Sequence, residues 1–257
     1  MAPTDGPVRH RVGITTVEEW CRDHLGVDPR HGLSPVGWLA LPTQILAEAT
    51  AGAVFHDGLG ELAPLRAALA WYPTDVWRYV LACQWRRIAQ EEAFVGRTGE
   101  VGDELGSAVV AARLVRDLMR LALLLHRRYP PYAKWLGSAF AALPAAADLD
   151  PVLRGALAAT SWRERERHLC AAYEALAVIQ NATGLAAAVD PTTRPYFDRP
   201  FQVLKADRLA DTLLAAVTDP VVAALPRVGA VDQHADNTDL LTDPRRRRAV
   251  TQAALSS

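Results

Sequence analysis

The chain has 257 residues, 50% of them hydrophobic, enough for one large core or two small ones. Its 28 basic and 29 acidic residues leave a net charge of -1, which excludes a general phosphate-backbone binder built on excess Lys and Arg. Cys21, Cys83 and Cys170 are odd in number, far apart and free of C-x-x-C spacing, so neither a disulfide framework nor a thiolate zinc site is indicated, and a reducing cytoplasm is expected.

Met1 to Pro7 lacks the basic stretch and apolar run of a signal peptide, and no apolar segment approaches the roughly 18 residues of a membrane helix. Alanine, leucine and arginine dominate and period-two alternation is nearly absent, which predicts an all-α fold. Thr16 caps a helix through about Leu25, Ser34 with Pro35 opens a second, and Pro42 opens a third that fades near Gly52. A short helix ends near Trp71, and Pro73 starts the long helical region.

Two long helices are expected at about 75 to 96 and 99 to 128, ended by Pro130 and Pro131. Their short connection makes them antiparallel neighbours at the centre of a helical bundle. Ser161 and Glu164 have capping-box spacing and predict a helix from about 162 to 182, with Gly184 ending it. The proline-rich segment 190–200 reads as an irregular connection before a last helical portion at about 206 to 217. The organisation expected is one helical domain over 1–225 and a polar, partly flexible tail over 226–257, with Arg245 to Arg248 as a solvated basic run.

Polar groups on apolar faces are the candidates for chemistry. Trp77, Leu81, Trp85 and Ile88 recur at helical spacing and Glu92 continues their series, whereas Glu91 falls on the polar face. Glu92 is therefore either in a structural ion pair with an arginine or a pocket acid or base. Between Gly96 and Gly106 four glycines and three acids surround Arg97, which predicts a tight turn or close backbone approach to a ligand. Glu100, Asp103 and Glu104 share one face at the next helix start, as helix-terminus electrostatics or as a site for a cation.

In that helix Val101, Leu105, Ala108, Ala112, Val115, Met119 and Ala122 alternate by four and three and are expected to form the central packing stripe, beside a second stripe of Leu114, Leu118, Leu121 and Leu125. Asp117 lies on the second stripe and needs a partner such as Arg113 or Arg120, while His126 reads as a core histidine. Tyr132 and Lys134 belong to a corner of cations, aromatics and prolines suited to an anionic or aromatic small molecule, or simply to covering a helix end.

The stretches DVWRYVLACQWRRIAQEEAFVGRTGEVGDELGS, RLVRDLMRLALLLHRRYPPYAKWLG and DPTTRPYFDRPFQVLKADR resemble the family called domain of unknown function 4037, with similarity over about residues 10 to 215. The resemblance implies a fold similar to the helical half of antibiotic nucleotidyltransferases, a region that follows a nucleotidyltransferase-like domain. That domain would carry a Gly-Ser turn and a D-x-D pair to hold metal and triphosphate. No such combination is read ahead of the helical region or elsewhere in the chain, so a self-sufficient nucleotidyltransferase is not expected. By the same resemblance Glu92, Glu100 and Asp103 are candidates for deprotonating an acceptor hydroxyl, with Arg97, Arg116 and Lys134 as anion or substrate contacts.

The first functional expectation is a freestanding small-molecule-binding protein, with general acid-base chemistry in a polar pocket between the long helices that joins Glu92, Arg97 and Asp103; Asp117 and Tyr132 are further substrate contacts. The alternative is a non-catalytic subunit completing a nucleotidyltransferase domain in trans through an exposed apolar face near Trp20 and Trp38. A minor alternative, an HEPN-like ribonuclease, uses the Arg163 and His168 spacing, although five residues advance about 500° around a helix and separate the two side chains. No cofactor, protein-bound metal, membrane or nucleic-acid partner is expected.

Overall fold

The structure, a computed structural model, describes residues 12–256, so the Met1 to Pro7 reading lies outside the described residues. The first helix, α1 (Val17–Trp20), carries the capping box of Thr16 and Glu19 and continues as a π-turn through Leu25. Ser34 caps α2 (Pro35–Leu39), and α3 (Thr43–Thr50) and α4 (Leu62–Ala68) follow. The long region divides into α5 (Thr74–Glu91), α6 (Phe94–Glu100) and α7 (Glu104–Leu125).

Three cross-helix contacts fix α5 and α7 as antiparallel. Trp77 Nε1 donates to the Leu124 carbonyl at 3.0 Å, Gln84 Nε2 to the Asp117 carbonyl at 3.1 Å, and Arg113 pairs with Glu91 at 3.1 Å. Around this pair pack α8 (Ala133–Ala141), α9 (Ala146–Ala158), α10 (Trp162–Ala182) and α11 (Asp207–Ala215). Ser161 accepts from the Glu164 N–H at the start of α10. The segment before α11 forms a two-stranded antiparallel ribbon of β1 (Arg194–Pro195) and β2 (Gln202–Val203), pairing Arg194 with Val203.

The chain after residue 225 is helical rather than a flexible tail. It forms α13 (Val231–His234), α14 (Thr238–Leu241) and α15 (Pro244–Leu255), after the short α12 (Pro220–Ala223). Helix α15 packs on α2 and on the π-turn. Within the basic run Arg247 is buried, and its guanidinium donates to the carbonyls of His24 and Leu241. Burial, together with the neighbouring charge of Arg248, pushes this arginine down to about 10 against the opposing charge of Asp243.

The packing stripe of α7 is the second of the two expected. Ser107, Ala111, Leu114, Leu118, Leu121 and Leu125 are buried, whereas Val101 and Leu105 are 80% and 78% exposed. The N-terminal part of the first stripe has no helix to face. What replaces it is a polar tie: the buried Arg165 of α10 donates to Ser107 Oγ at 3.2 Å and pairs with Glu104.

The glycine-rich segment serves packing. A Cβ on Gly96 would lie 2.6 Å from the Phe201 ring, and one on Gly99 would lie 2.1 Å from the Trp162 ring. Helix α6 thus rests its bare backbone on a small satellite core of Ala93, Trp162, Phe201 and Val203. Gly102, at φ 82°, makes the left-handed turn into α7, whose first turn is capped by the Asp103 carboxylate accepting from Gly106 N–H at 2.7 Å.

Gly99→Ala is expected to cost about 1–3 kcal/mol or more in urea unfolding, because Trp162 must move. Gly137→Ala, where a Cβ on α8 meets nothing within 4 Å, is expected to be neutral or to stabilise by up to about 1 kcal/mol. Equal destabilisation by both would show that close approach does not explain Gly99.

Candidate functional site

On α7 the residues Arg113, Arg116, Asp117 and Arg120 are three and four apart and therefore share one helix face. Across from them Arg87 projects from α5, and its guanidinium reaches Asp117 at 3.1 Å. The same arginine donates to the carbonyl of Gln233 in α13. Gln233 is itself buried, donating at 3.0 Å to both the Val80 carbonyl and Gln84 Oε1. These bonds clamp α13 over the long helices and enclose a cavity of about 200 Å³. Its lining includes all four arginines, Asp117, Asp232, His234 and Asp236.

Asp232 closes the site. Its Oδ2 accepts from Arg120 Nη2 and from the Thr43 N–H, each at 3.0 Å, and from the Thr43 hydroxyl. Burial works against the charge of this carboxyl, but Arg120 and the Thr43 donors outweigh it and hold it below the usual carboxylate range. The other oxygen, Oδ1, is buried without a hydrogen-bond partner. Partial burial lowers His234 below an ordinary imidazole.

A second, larger cavity of about 640 Å³ opens beside the first. Pro42, Ile45, Pro130, Tyr132 and Leu241 supply its apolar wall. Arg116, Arg120, Asp232, Ala235 and Asp236 line both spaces. At this junction Arg116 is half-buried and has no hydrogen bond or ion pair among the described residues. Each of its neighbours Arg87, Arg113 and Arg120 has a carboxylate partner.

Of the residues singled out from sequence, Arg116, Asp117 and Tyr132 converge here. The partner of Asp117 is Arg87, not Arg113 or Arg120. The other five lie elsewhere. Glu92 is buried but has no arginine partner: Oε2 accepts from Leu204 N–H at 2.7 Å and Oε1 from Ala206 N–H at 3.0 Å, so it anchors the strand-to-α11 turn. Burial pushes its carboxyl up to about 7 against the opposing effect of these donors. Glu100 pairs with Arg199, Asp103 caps α7, Arg97 lies over the Phe94 ring at 5.3 Å, and Lys134 lies over Trp135 at 5.0 Å. The expected cavity joining Glu92, Arg97 and Asp103 is therefore replaced by one further along the same helix pair.

Arg163 and His168 also remain apart. Arg163 lies over the Trp162 ring at 4.3 Å, while the His168 ring occupies the space where a Cβ on Gly155 would sit. Sequence reasoning missed Arg87, Thr43 and Asp232. Reading 226–257 as a tail hid Asp232, and with it the roles of Arg87 and Thr43. The apolar Val228, Ala230 and Val231 beside Asp232 were the available signal of a packed segment.

The combination that the family pattern places upstream does occur in the chain, as Gly137-Ser138 followed by Asp148-Leu149-Asp150, which corrects the reading that it is absent. Its setting is wrong for metal binding. The glycine and serine lie within α8 and both acids within α9, where Leu149 is buried between them and Asp150 pairs with Arg154. Among the described residues no group of three or more His, Cys, Asp and Glu is placed to hold a metal ion. Among them, too, no helix is long and apolar enough to cross a membrane.

Fold and site thus define an all-helical protein with an arginine-lined cavity between two central antiparallel helices. Residues 38–136 match the model of the family described as Domain of unknown function (DUF4037), so this segment is similar to that family. The match takes in α5 to α7 and the proline corner, and the 190–208 stretch lies beyond it. No curated protein and no solved structure matches the chain.

Removing one member of the buried Asp232–Arg120 pair leaves the other charged and unpaired, so Asp232→Ala is expected to cost about 3–5 kcal/mol in chemical denaturation. A loss below about 1 kcal/mol would mean that α13 is not held by this pair. Glu92 makes a pH prediction. Its folded carboxyl titrates near 7 against an ordinary 4.5, so the folded chain holds a proton that the unfolded chain releases. The stability from this group is fully present below 4.5 and is lost as pH rises through about 7, a fall on the order of 3 kcal/mol. Glu92→Gln should flatten that slope whatever it does to the baseline, leaving the part due to Glu166, which burial also raises to about 7. An unchanged slope in the variant would remove Glu92 as its source.

Proposed function

We propose that this protein binds a small molecule through an anionic group, held by the arginine face of α7 in the cavity under α13. The observation that supports it most directly is Arg116, a guanidinium lining two cavities with no partner among the described residues. A planar, always-charged guanidinium suits carboxylate and phosphate, and the surrounding low-dielectric walls strengthen the attraction. Arg87, Arg113 and Arg120 are already engaged with carboxylates, so they contribute field rather than free donors. If the bound molecule is also transformed by proton transfer, Asp236 and His234 at the cavity are better placed than Glu92, Glu100 or Asp103. The free thiols Cys21, Cys83 and Cys170 fit a reducing cytoplasm.

A second reading is a helical subunit that completes a nucleotidyltransferase domain in trans. The exposed ridge of Val101, Leu105 and Val109 favours it, while Trp38, expected on such a face, is buried.

Thermal unfolding with millimolar inorganic phosphate, acetate and organic phosphates tests the first reading. A ligand at 100 times its Kd adds about 2.7 kcal/mol, which shifts Tm by several degrees in a chain of this size. Arg116→Ala is expected to abolish the shift while leaving the unliganded Tm nearly unchanged. Equal shifts in wild type and variant, or no shift with any anion, would overturn it.

A further inference from the structure

The two cavities differ in size and in wall chemistry, and they meet at Arg116 and Arg120. The arginine-lined space of about 200 Å³ suits a single carboxylate or phosphate group. The adjoining space of about 640 Å³ has the dimensions of a whole small-molecule site; Pro42, Ile45, Pro130, Tyr132 and Leu241 form its apolar side, and Glu48, Thr238 and Thr242 lie at its polar edge. An inorganic ion at Arg116 would leave that apolar trough in contact with water. A neutral apolar molecule in the trough would leave the guanidinium of Arg116 without a counter-charge. A molecule with both parts satisfies both walls at once.

Resting on the anion reading above, we propose that the ligand is an amphipathic organic anion. Its head, a carboxylate or a phosphate monoester, pairs with Arg116, and its apolar body lies along Pro42, Ile45, Pro130, Tyr132 and Leu241. The charge assignment follows from the partners. Asp232 is committed to Arg120 and Thr43, and Asp236 is exposed, where water screens it, so Arg116 is the charge at the junction without a counter-ion among the described residues. The body follows from the wall, because apolar surface buried on binding contributes in proportion to its area. Proline and tyrosine side chains lose little conformational freedom on contact, which suits a flat or ring-shaped body. Helix α13 lines both spaces and α14 the larger one, so the segment after residue 230 is part of the binding wall.

Isothermal titration of the full chain with four probes tests this: 1-naphthyl phosphate, 1-naphthoate, inorganic phosphate and 1-naphthol. At least one naphthyl anion is expected to bind about tenfold or more tightly than inorganic phosphate, and about tenfold or more tightly than 1-naphthol. The tighter of the two naphthyl anions identifies the head group. Tyr132→Ala and Ile45→Ser should each remove most of the advantage over inorganic phosphate without weakening phosphate itself. Melting curves of both variants establish that they fold, and the wild-type comparison stands independently of them. Naphthyl anions no tighter than inorganic phosphate, or no tighter than 1-naphthol, would overturn the amphipathic assignment. Anion binding that survives Arg116→Ala undiminished, or is absent altogether, would instead overturn the reading on which it rests.

Discussion

A carboxylate withdrawn from water must find donors, and in this protein the buried carboxylates find them in segments far away along the chain. Asp117 takes Arg87 from the neighbouring long helix, and that arginine goes on to the Gln233 carbonyl. Asp232 takes Arg120 and Thr43. Glu92 takes two backbone N–H groups of the turn before α11. Asp75, held down to about 2, despite partial burial, by Arg78 and by donors from Thr218 and Asp219, secures the approach to α12 in the same way. The apolar stripes bring helices together, but these acids decide which connecting segment lies against which helix.

The arrangement at α7 has a chemical consequence. Four cationic side chains gather on and opposite one helix face, and three of them are neutralised by Asp117, Asp232 and Glu91. Arg116 is left as the odd charge beside a void. The buried, unpartnered Oδ1 of Asp232 shows that the closure by α13 is tight but not fully satisfied.

The segment from Val231 to Leu255 matters for the same reason. Without α13 the arginine face of α7 would be an ordinary solvated surface, on which ion pairs contribute little. With α13 in place Arg120 and Asp232 each keep 8% of their side-chain surface exposed, and their interaction becomes strong and directional. Arg247 ties α15 to this segment by donating to the His24 carbonyl of the N-terminal π-turn and to the Leu241 carbonyl of α14.

Helix boundaries and helix facing were legible because both are local. Thr16, Ser34 and Ser161 cap the helices they were expected to cap, and an advance of about 100° per residue turns Glu92 and Asp117 inward whatever lies opposite them. Helices α8 and α9, alanine-rich and lacking side-chain caps, gave no comparable start signal. The choice between two stripes on α7 was not legible either: both have helical period, and only the position of α10 buries Ser107 and Ala111 and leaves Val101 and Leu105 bare.

What each inward acid meets was beyond the sequence. Asp232 and Thr43 are 189 residues apart, and Glu92 and Leu204 are 112 apart. No local preference encodes such a pairing, since it emerges only when the whole core closes and the remaining donors come within reach. The amino-acid order by itself determined an all-helical chain with carboxylates and guanidinia turned inward at its centre. Tertiary packing decided which of those charges cancel, and so left Arg116 facing a cavity.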